Sequence, residues 1–403
     1  MRYLTFLLLV ISLWLQGQQL QEYQKTALEQ NPSLQSKYKD FEASMRRVSQ
    51  AKGLPDPTLT VSAFGQMIET RVGPQRARFT LSQMFPWFGT LRAQGEMTTL
   101  QAEASYQRFV DEQNKIRFQV AKAYYSLLEV DQLMAIQQQN ISVLKSWKTL
   151  ATAKYQNGQT SMVDILRVDL MIQEMETELE LLESMKRPLT VTFNNLLNRN
   201  DTIPVILEEQ NAEVPVYVEA DWSDHPLLQE LDLKIQSKEK QQTVIEKQSL
   251  PKLGVGLDYI IVAERTDMNV PGNGQDAIMP MVSVSLPIWR KKYRAAMDET
   301  SYQSEGFTLM KQSTQNELEN MYENLKYDIQ KENNWMALYQ SQIQETEQIQ
   351  RLLLSDFSNS GKDLVELLRV QMQLLSIQKN ETKAKTRLLT ALANMDYVLG
   401  ESN

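Results

Sequence analysis

Two stretches of similar pattern, half a chain apart, constrain the fold more than any other feature of this sequence. They read YQNGQTSMVDILRVD at Tyr155–Asp169 and FSNSGKDLVELLRVQ at Phe357–Gln371, and they begin 202 positions apart. In each, an aromatic residue precedes a polar turn with glycine, which can adopt positive φ and close a helix. An acid then stands where a second helix would begin. The pattern predicts two equivalent helix–turn–helix tips, and only further matches can separate a duplicated fold from a loop that arose twice.

Four further landmarks recur in the same order in both halves, which favours duplication. Each half has an X-Pro helix start, a Leu-Pro helix stop, two β-like segments and an aromatic corner before a long helix. The helix starts are NPSL at 31–34 and HPLL at 225–228, and the helix stops are Leu54-Pro55 and Leu250-Pro251. The aromatic corners are FPWFGTLR at 85–92 and LPIWRKKYR at 286–294. We therefore predict a first repeat over 18–201, a linker over 202–223, a second repeat over 224–400 and a tail over 401–403.

The β-like segments alternate between apolar and small or polar residues with period two, which is typical of a strand with two different faces. In KLGVGLDYII at 252–261, the residues Leu253, Val255, Leu257, Tyr259 and Ile261 point one way. The segments at 58–67, 76–82 and 281–286 alternate likewise. In the first of these, the predicted apolar side continues from Ala63 to Met67. The segment lengths suit outer-membrane strands, although a half-buried soluble sheet would show the same alternation.

The predicted helices are unusually long. Between Gly89 and Gln156 there is no proline, and Gly95 is the one glycine after Gly89. A continuous helix of roughly 100 Å is therefore expected. Apolar residues from Ile116 to Ala151 keep a 4-3 spacing that Gln137 and Lys148 interrupt. This spacing predicts a helix that packs along another with coiled-coil geometry.

Composition excludes several classes of function. The 403 residues include no cysteine and one histidine, so thiol chemistry and disulfides are not expected. The net charge is −8, so a basic surface for nucleic acid is not expected either. No P-loop, zinc spacing or Ser–His–Asp set occurs, so we expect neither an enzyme nor a cofactor or metal site. An apolar run from Leu4 to Leu15 follows Arg2, which predicts a signal peptide over 1–17 and hence export.

Four strands cannot close a barrel within one chain. Unpaired backbone groups are too costly in hydrocarbon to leave a sheet edge open, and single-chain barrels need about eight strands. We therefore expect several chains to pool their strands, and two chains would give eight and three would give twelve. A packed eight-stranded barrel leaves no wide lumen, whereas twelve strands leave one.

At this point the chain resembles the TolC family, the outer-membrane efflux proteins of Gram-negative bacteria. The resemblance is carried by the duplication, by NPSL at 31–34, LPDP at 54–57 and FPWFG at 85–89, and above all by the two tip motifs. It implies a mainly α protein with a membrane β-barrel. Three chains share a twelve-stranded outer-membrane barrel, and their long coiled-coil helices form a periplasmic α-barrel.

The resemblance also implies partners and a function. It implies a homotrimeric, passive exit duct in the outer membrane that docks on a periplasmic adaptor and, through it, on an inner-membrane pump of the resistance-nodulation-division type or similar, for drugs or heavy metals. A type I protein-secretion duct would use the same fold. A periplasmic coiled-coil scaffold without a pore is the alternative from another class, and the four alternating strands argue against it.

The matched acids of the two tips, Asp164 and Glu366, are candidate residues of a periplasmic gate together with Arg167 and Arg369. Six such carboxylates around one constriction would attract cations and raise one another's pKa. Alternatively, each acid forms a local pair with the arginine three residues on. The family often carries a further acid where Arg369 stands, so this chain departs from the pattern there.

The turn residues Asn157, Gly158, Asn359 and Gly361 are the candidates for adaptor docking, although Gly and Asn also simply permit positive φ. His225 aligns with Asn31 at a helix start and is expected to cap a helix there.

Overall fold

The computed structural model of the chain describes residues 18–210, 214–215, 220–360 and 363–400. The predicted signal peptide over 1–17, the tail over 401–403 and the predicted docking residue Gly361 lie outside the described residues.

From α2 onward, the elements follow one another in the order that the sequence predicts, and α1 precedes them. They are α1 (Gln18–Gln30), α2 (Pro32–Ala51), β1 (Thr58–Thr70), β2 (Gly73–Phe85), α3 (Thr90–Gln156), α4 (Met162–Leu196), α5 (Pro226–Gln248), β3 (Lys252–Val262), β4 (Ala277–Ser285), α6 (Lys291–Ser360) and α7 (Leu364–Leu399). From α2 onward, the order helix, strand, strand, long helix, helix occurs twice. The exact boundaries of the two repeats and of the linker stay predictions.

The long helices are confirmed. The helix α3 has 67 residues and α6 has 70, each followed by a shorter return helix. Both helices that precede a strand stop just before the prolines that the sequence marks, Pro55 and Pro251, because proline disfavours the α conformation of its predecessor.

Among the residues that the structure describes, no helix is both long enough and apolar enough to cross a membrane.

The four strands form one antiparallel sheet in the order β1-β2-β3-β4. The central pair, β2 with β3, joins the two repeats, and it aligns residues from Gln75 with Val262 to Phe85 with Leu253. The strands β1 and β4 are therefore the two edges of the sheet.

The strand register gives the sheet one apolar face and one polar face. Two neighbouring rows across the sheet are Val61, Phe79, Tyr259, Ile278 on one face and Thr60, Thr80, Asp258, Met279 on the other. Asp258 is buried on the polar face, where it accepts a hydrogen bond from Thr80 and lies 3.5 Å from the Nε of Arg78. The two faces are those that the sequence alternation predicts.

One part of the predicted alternation differs. The pairing of β1 with β2 shifts in register between Ala63 and Ile68, and Ile68 then lies opposite Gln75. Met67, which the alternation placed on the apolar face with Ala63, falls within this irregular segment. A bulge adds residues to one strand without a partner on the other, so strict alternation does not continue across it.

The chain divides into two compact units, each built from both repeats. The first comprises Met1–Lys37, Phe109–Pro226 and Gln315–Asn403, and the second comprises Tyr38–Arg108 and Leu227–Thr314. The second unit contains the sheet. Its helices are tied by ion pairs such as Arg108 with Glu230 at 2.6 Å and Lys311 with Asp232 at 2.7 Å.

The first unit has two apolar cores. In one, Tyr23, Tyr124 and Phe193 pack against each other, and the linker is bound to them because the backbone N–H of Glu208 donates to the hydroxyl of Tyr124. The other core lies at the tips and contains Ile141, Leu144, Trp147, Ala151, Ile165, Val168, Ile172, Met175, Phe357, Leu364, Leu367, Leu368 and Leu375. The residues that α3 contributes to this core include Ile141, Leu144 and Ala151 of the predicted 4-3 seam.

Buried amides interrupt this second core. Gln371 donates to Asn140, Gln350 donates to Gln371, and Gln137 donates to the carbonyl of Met175. Gln137 is one of the two residues that interrupt the predicted seam. It is fully buried, and its amide N–H donates across to α4.

Candidate functional site

The first tip connects α3 to α4 through a short turn. Gly158 has φ of 70°, and the N–H groups of Gly158 and Gln159 donate to carbonyls of the last turn of α3. Ser161 caps α4: its hydroxyl accepts a hydrogen bond from the N–H of Asp164, whose carboxylate accepts one from the N–H of Ser161. Such a reciprocal capping box satisfies two N–H groups that a helix start leaves unpaired.

Asp164 is held mainly by its neighbours in this turn. Its Oδ2 accepts hydrogen bonds from the hydroxyls of Ser161 at 2.7 Å and Thr160 at 2.9 Å, whereas Arg167 lies 3.7 Å from its Oδ1. Partial burial acts to raise the pKa of Asp164, but the hydrogen bonds from Ser161 and Thr160 outweigh it. The pKa therefore lies below its ordinary value of 3.8.

The second tip connects α6 to α7 and is built differently. The residue that corresponds to Ser161 is Asp363, which adopts a left-handed conformation with φ of 66° and forms no side-chain cap. The N–H of Leu367 donates to the carbonyl of Asp363. The aromatic residue of this tip, Phe357, is fully buried in the second core.

Glu366 pairs with the arginine on its own helix. The Nε of Arg369 donates to Oε2 of Glu366 at 2.9 Å, and a second guanidinium N–H donates to Oε1. The hydrogen bond from Arg369 is the main cause that lowers the pKa of Glu366 below its ordinary value of 4.5. Within the described residues, both tip acids thus form the local i,i+3 pair with Arg167 or Arg369, and both have lowered pKa values.

The predicted docking residues fall in different places. Asn157 and Gly158 lie in the exposed turn of the first tip, as predicted. Asn359 was expected in a turn, but it lies in the last turn of α6, because this helix continues to Ser360 and so ends two positions later than α3 does in the matched stretch. Gly361 lies outside the described residues.

Sequence reasoning missed two ion pairs between α3 and α4 near the first tip. Lys148 lies 2.5 Å from Asp169, and Lys145 lies 2.7 Å from Glu176. Lys148 is visible in the sequence as an interruption of the apolar seam, and that interruption is the signal that could have located the first pair. These pairs join the two helices of one hairpin.

Asn31 lies at the start of a helix, as expected. Its Oδ1 accepts hydrogen bonds from the N–H groups of Ser33 and Leu34, so it caps α2. His225 directly precedes α5 and is buried, and burial lowers its pKa to about 4. The capping role of His225 stays a prediction. No group of three or more potential metal ligands occurs in the described part of the chain.

Residues 24–185 match a family model described as outer membrane efflux protein. A search of the curated proteins found no match to the sequence.

The fold is similar to that of solved outer-membrane channels. The chain matches CusC with a TM-score of 0.80 at 11% identity, covering 96% of this chain and 92% of that one. It matches VceC of Vibrio cholerae with a TM-score of 0.76 at 16% identity, covering 95% and 96% of the two chains. It matches the open state of MtrE of Neisseria gonorrhoeae with a TM-score of 0.73 at 16% identity, covering 95% and 89%.

Proposed function

We propose that this chain is an outer membrane efflux protein, as the match of residues 24–185 indicates, and that three copies of it form the exit duct of a tripartite efflux system. The protein is located in the outer membrane, with a long helical extension into the periplasm. In this proposal, the strands of three chains close one barrel, the helices line the periplasmic part of the duct, and the energy for transport comes from partner proteins.

The observation that carries the proposal is the apolar face of the sheet. Large apolar side chains of all four strands are exposed on it, including Leu59, Val61, Leu81, Val255, Leu257, Ile278, Val282 and Val284. Exposed apolar surface of this extent marks an interaction with lipid or protein. The strands have 13, 13, 11 and 9 residues, which suits the length of a tilted strand across a bilayer.

The edges of the sheet support pooling between chains. Within the described residues, β1 and β4 are edge strands, and each carries backbone N–H and C=O groups on its outer side. Such groups need partners inside a bilayer, because water is absent there. Pairing of β1 of one chain with β4 of the next removes every edge, and three chains give a twelve-stranded barrel with a lumen.

The tips are the proposed periplasmic end. The exposed turn at Asn157 and Gly158 and the corresponding end of α6 at Asn359 would dock on a periplasmic adaptor, which links the duct to an inner-membrane pump. Asp164, Arg167, Glu366 and Arg369 would hold the closed state around one aperture. Their local pairs order the start of each return helix, and ordered starts are what a tight ring of six tips requires.

The test uses a matched pair of neighbouring residues on β4. Val282→Arg places a charge on the apolar face and is expected to lower the stability of the folded protein in the membrane by about 2–4 kcal/mol, because the charge would face hydrocarbon. Ser283→Arg places the same charge on the polar face and is expected to be tolerated. Outer-membrane assembly is measured by fractionation, and native mass spectrometry gives the number of chains.

The wild type is expected to be a trimer that forms pores in planar bilayers. Equal loss of assembly in Val282→Arg and Ser283→Arg would show that the apolar face does not meet lipid. A stable monomer with an intact sheet would contradict the pooling of strands.

A further inference from the structure

A cavity of about 750 Å³ lies in the second unit, where the strands join their helices. Its wall combines the end of α2, the aromatic corner before α3 together with the start of α3, the end of α5, the first residue of β3 and the start of α6. Side chains from both repeats therefore meet around one space, which the duct function does not use.

The charged side chains of this cavity all have the same sign. Lys247, Lys252 and Lys292 line it, and no aspartate or glutamate does. Among the described residues, the ion pairs of the chain include none of these three lysines. Most other lysines at helix contacts of this unit, such as Lys311 with Asp232, have a carboxylate partner. Three uncompensated ammonium groups around one cavity favour an anion.

Two helix starts add to this positive potential. The Nζ of Lys247 lies 3.2 Å from the position that a Cβ on Gly89 would occupy, and Gly89 directly precedes α3. Lys292 is the second residue of α6. The start of a helix carries a partial positive charge and unpaired N–H groups, so a lysine beside it is unfavourable without a compensating anion.

The rest of the wall is largely apolar. Leu54, Trp87, Leu91, Met97 and Ile245 line the cavity beside the lysines. Tyr293 also lines it, and the ammonium of Lys292 lies 4.8 Å from the centre of that ring. A small inorganic anion would leave this apolar surface unused, whereas an anionic head on an apolar body would contact both parts of the wall.

We propose that this cavity binds an amphiphilic anion, with its phosphate or carboxylate head at Lys247, Lys252 and Lys292 and its apolar body against Trp87. The basic segment RKKYR at Arg290–Arg294 strengthens the attraction at the start of α6, whereas the corresponding corner of the first repeat, FPWFGTLR at 85–92, carries only the charge of Arg92. The site therefore distinguishes the two repeats. Its ligand comes either from membrane phospholipid or from a soluble organic anion.

The test measures binding of hexyl phosphate to the purified full-length protein in neutral detergent by titration calorimetry. The wild type is expected to bind one hexyl phosphate per chain, and to bind hexanol and inorganic phosphate at least about tenfold more weakly, since each matches only part of the wall. The triple variant Lys247→Gln, Lys252→Gln, Lys292→Gln is expected to lose about tenfold or more in affinity, because charged hydrogen bonds are lost.

A second triple variant controls for net charge. Lys25→Gln, Lys37→Gln, Lys122→Gln removes the same charge from the first unit and is expected to keep the wild-type affinity. The single variant Lys292→Gln, whose side chain is exposed, covers the case in which the first triple variant does not fold, and it is expected to weaken binding several-fold. Absence of binding to the wild type, or an equal loss in the control, would overturn the proposal.

The source of the ligand is read from lipid that copurifies. Anionic phospholipid retained by the wild type and lost from the lysine variant assigns the site to membrane lipid. Equal lipid in both, with hexyl phosphate binding intact in the wild type, assigns it to a soluble anion. The same preparations are tested for pores in planar bilayers, so pores without binding contradict only the site, and binding without pores contradicts only the duct.

Discussion

The two tips share a sequence motif, yet they differ in how their matched residues are buried. Tyr155 is 45% exposed, whereas its counterpart Phe357 is fully buried. Met162 is 49% exposed, whereas its counterpart Leu364 is 3% exposed. Ile165 and Leu367, which also occupy matched positions, are both buried. This position is therefore buried in both tips, whereas the positions of Met162 and Leu166 are buried only in the second tip.

The difference teaches that the two tips share a motif but neither the same turn nor the same surroundings. Within one chain, the second tip is packed in the core it shares with α3 and α4. The first tip instead exposes an apolar row at Met162 and Leu166, whose counterparts Leu364 and Leu368 are buried. In a ring of six hairpins, each hairpin has two neighbours, but a single chain supplies only one of them. The exposed row is the surface that a neighbouring chain would cover.

The largest expected effect comes from truncating the matched aromatic residues. Phe357→Ala is expected to lower the free energy of unfolding by about 3–5 kcal/mol, because it leaves a cavity in a packed core. Tyr155→Ala is expected to change it by about 0.5 kcal/mol or less, because the ring is half exposed. Chemical denaturation of the purified protein measures both, and equal losses would show that assembly makes the two tips equivalent.

The next effect concerns the two helix caps. Ser161→Ala removes a reciprocal cap and is expected to destabilise the first tip by about 0.5–2 kcal/mol. Asp363→Gly removes no side-chain cap and relieves a left-handed conformation that non-glycine residues adopt at a cost, so it is expected to be neutral or stabilising. Hydrogen exchange at the starts of α4 and α7 measures each change. Loss of protection in Asp363→Gly would indicate a bond of that carboxylate in the assembled protein.

A further effect concerns the proposed gate. Arg369→Ala leaves Glu366 without its bidentate partner, whereas Arg167→Ala leaves Asp164 with its bonds to Ser161 and Thr160. We therefore expect the Arg369 variant to raise single-channel conductance and vancomycin sensitivity more than the Arg167 variant, and the double variant to raise both the most. The matched control is Arg351→Ala, on an exposed pair within α6. Wild-type values in all variants would show that the tip charges are only solvated helix charges.

The smallest effect is a dependence on pH. Because the folded-state pKa of Asp164 lies below its ordinary value of 3.8, its bonds stabilise the first tip above that pH and are lost as the pH falls through the lowered pKa. Hydrogen-exchange protection at the start of α4 is expected to persist at pH 5 and to decrease only once the pH falls below the ordinary value of 3.8. Ser161→Ala is expected to move this decrease to higher pH. A decrease already complete at pH 5 would mean that the pKa of Asp164 is raised, as a ring of facing carboxylates predicts.

The sequence predicted the elements well because each was marked by a strong local signal. Pro55 and Pro251 mark helix stops, and period-two alternation marks the strands, so their bounds agree with the structure within a few residues. The long α3 was predicted from the absence of proline between Gly89 and Gln156. All these signals act within one segment of chain.

The features that sequence reasoning missed depend on other segments. Asn359 lies in the last turn of α6, whereas its counterpart Asn157 lies in a turn, and the shared motif gives no sign of this difference. The amide of Gln137 finds its partner on α4, at the carbonyl of Met175. The irregular pairing between Ala63 and Ile68 is set by the partner strand. The lysine cavity is lined by residues from five elements, so no pattern within one segment predicts it.

The pairing of β2 with β3 has a consequence for how the chain is made. Thr80 and Asp258, which bond across this pair, are 178 positions apart in the sequence. Contacts over such a distance form late in folding, because the chain must first lose the entropy of closing a very long loop. The helical hairpin of α3 and α4 lies wholly within that loop and can form beforehand. The first β-hairpin therefore keeps its apolar face and the outer side of β2 without partners until the second repeat is available to pair with it.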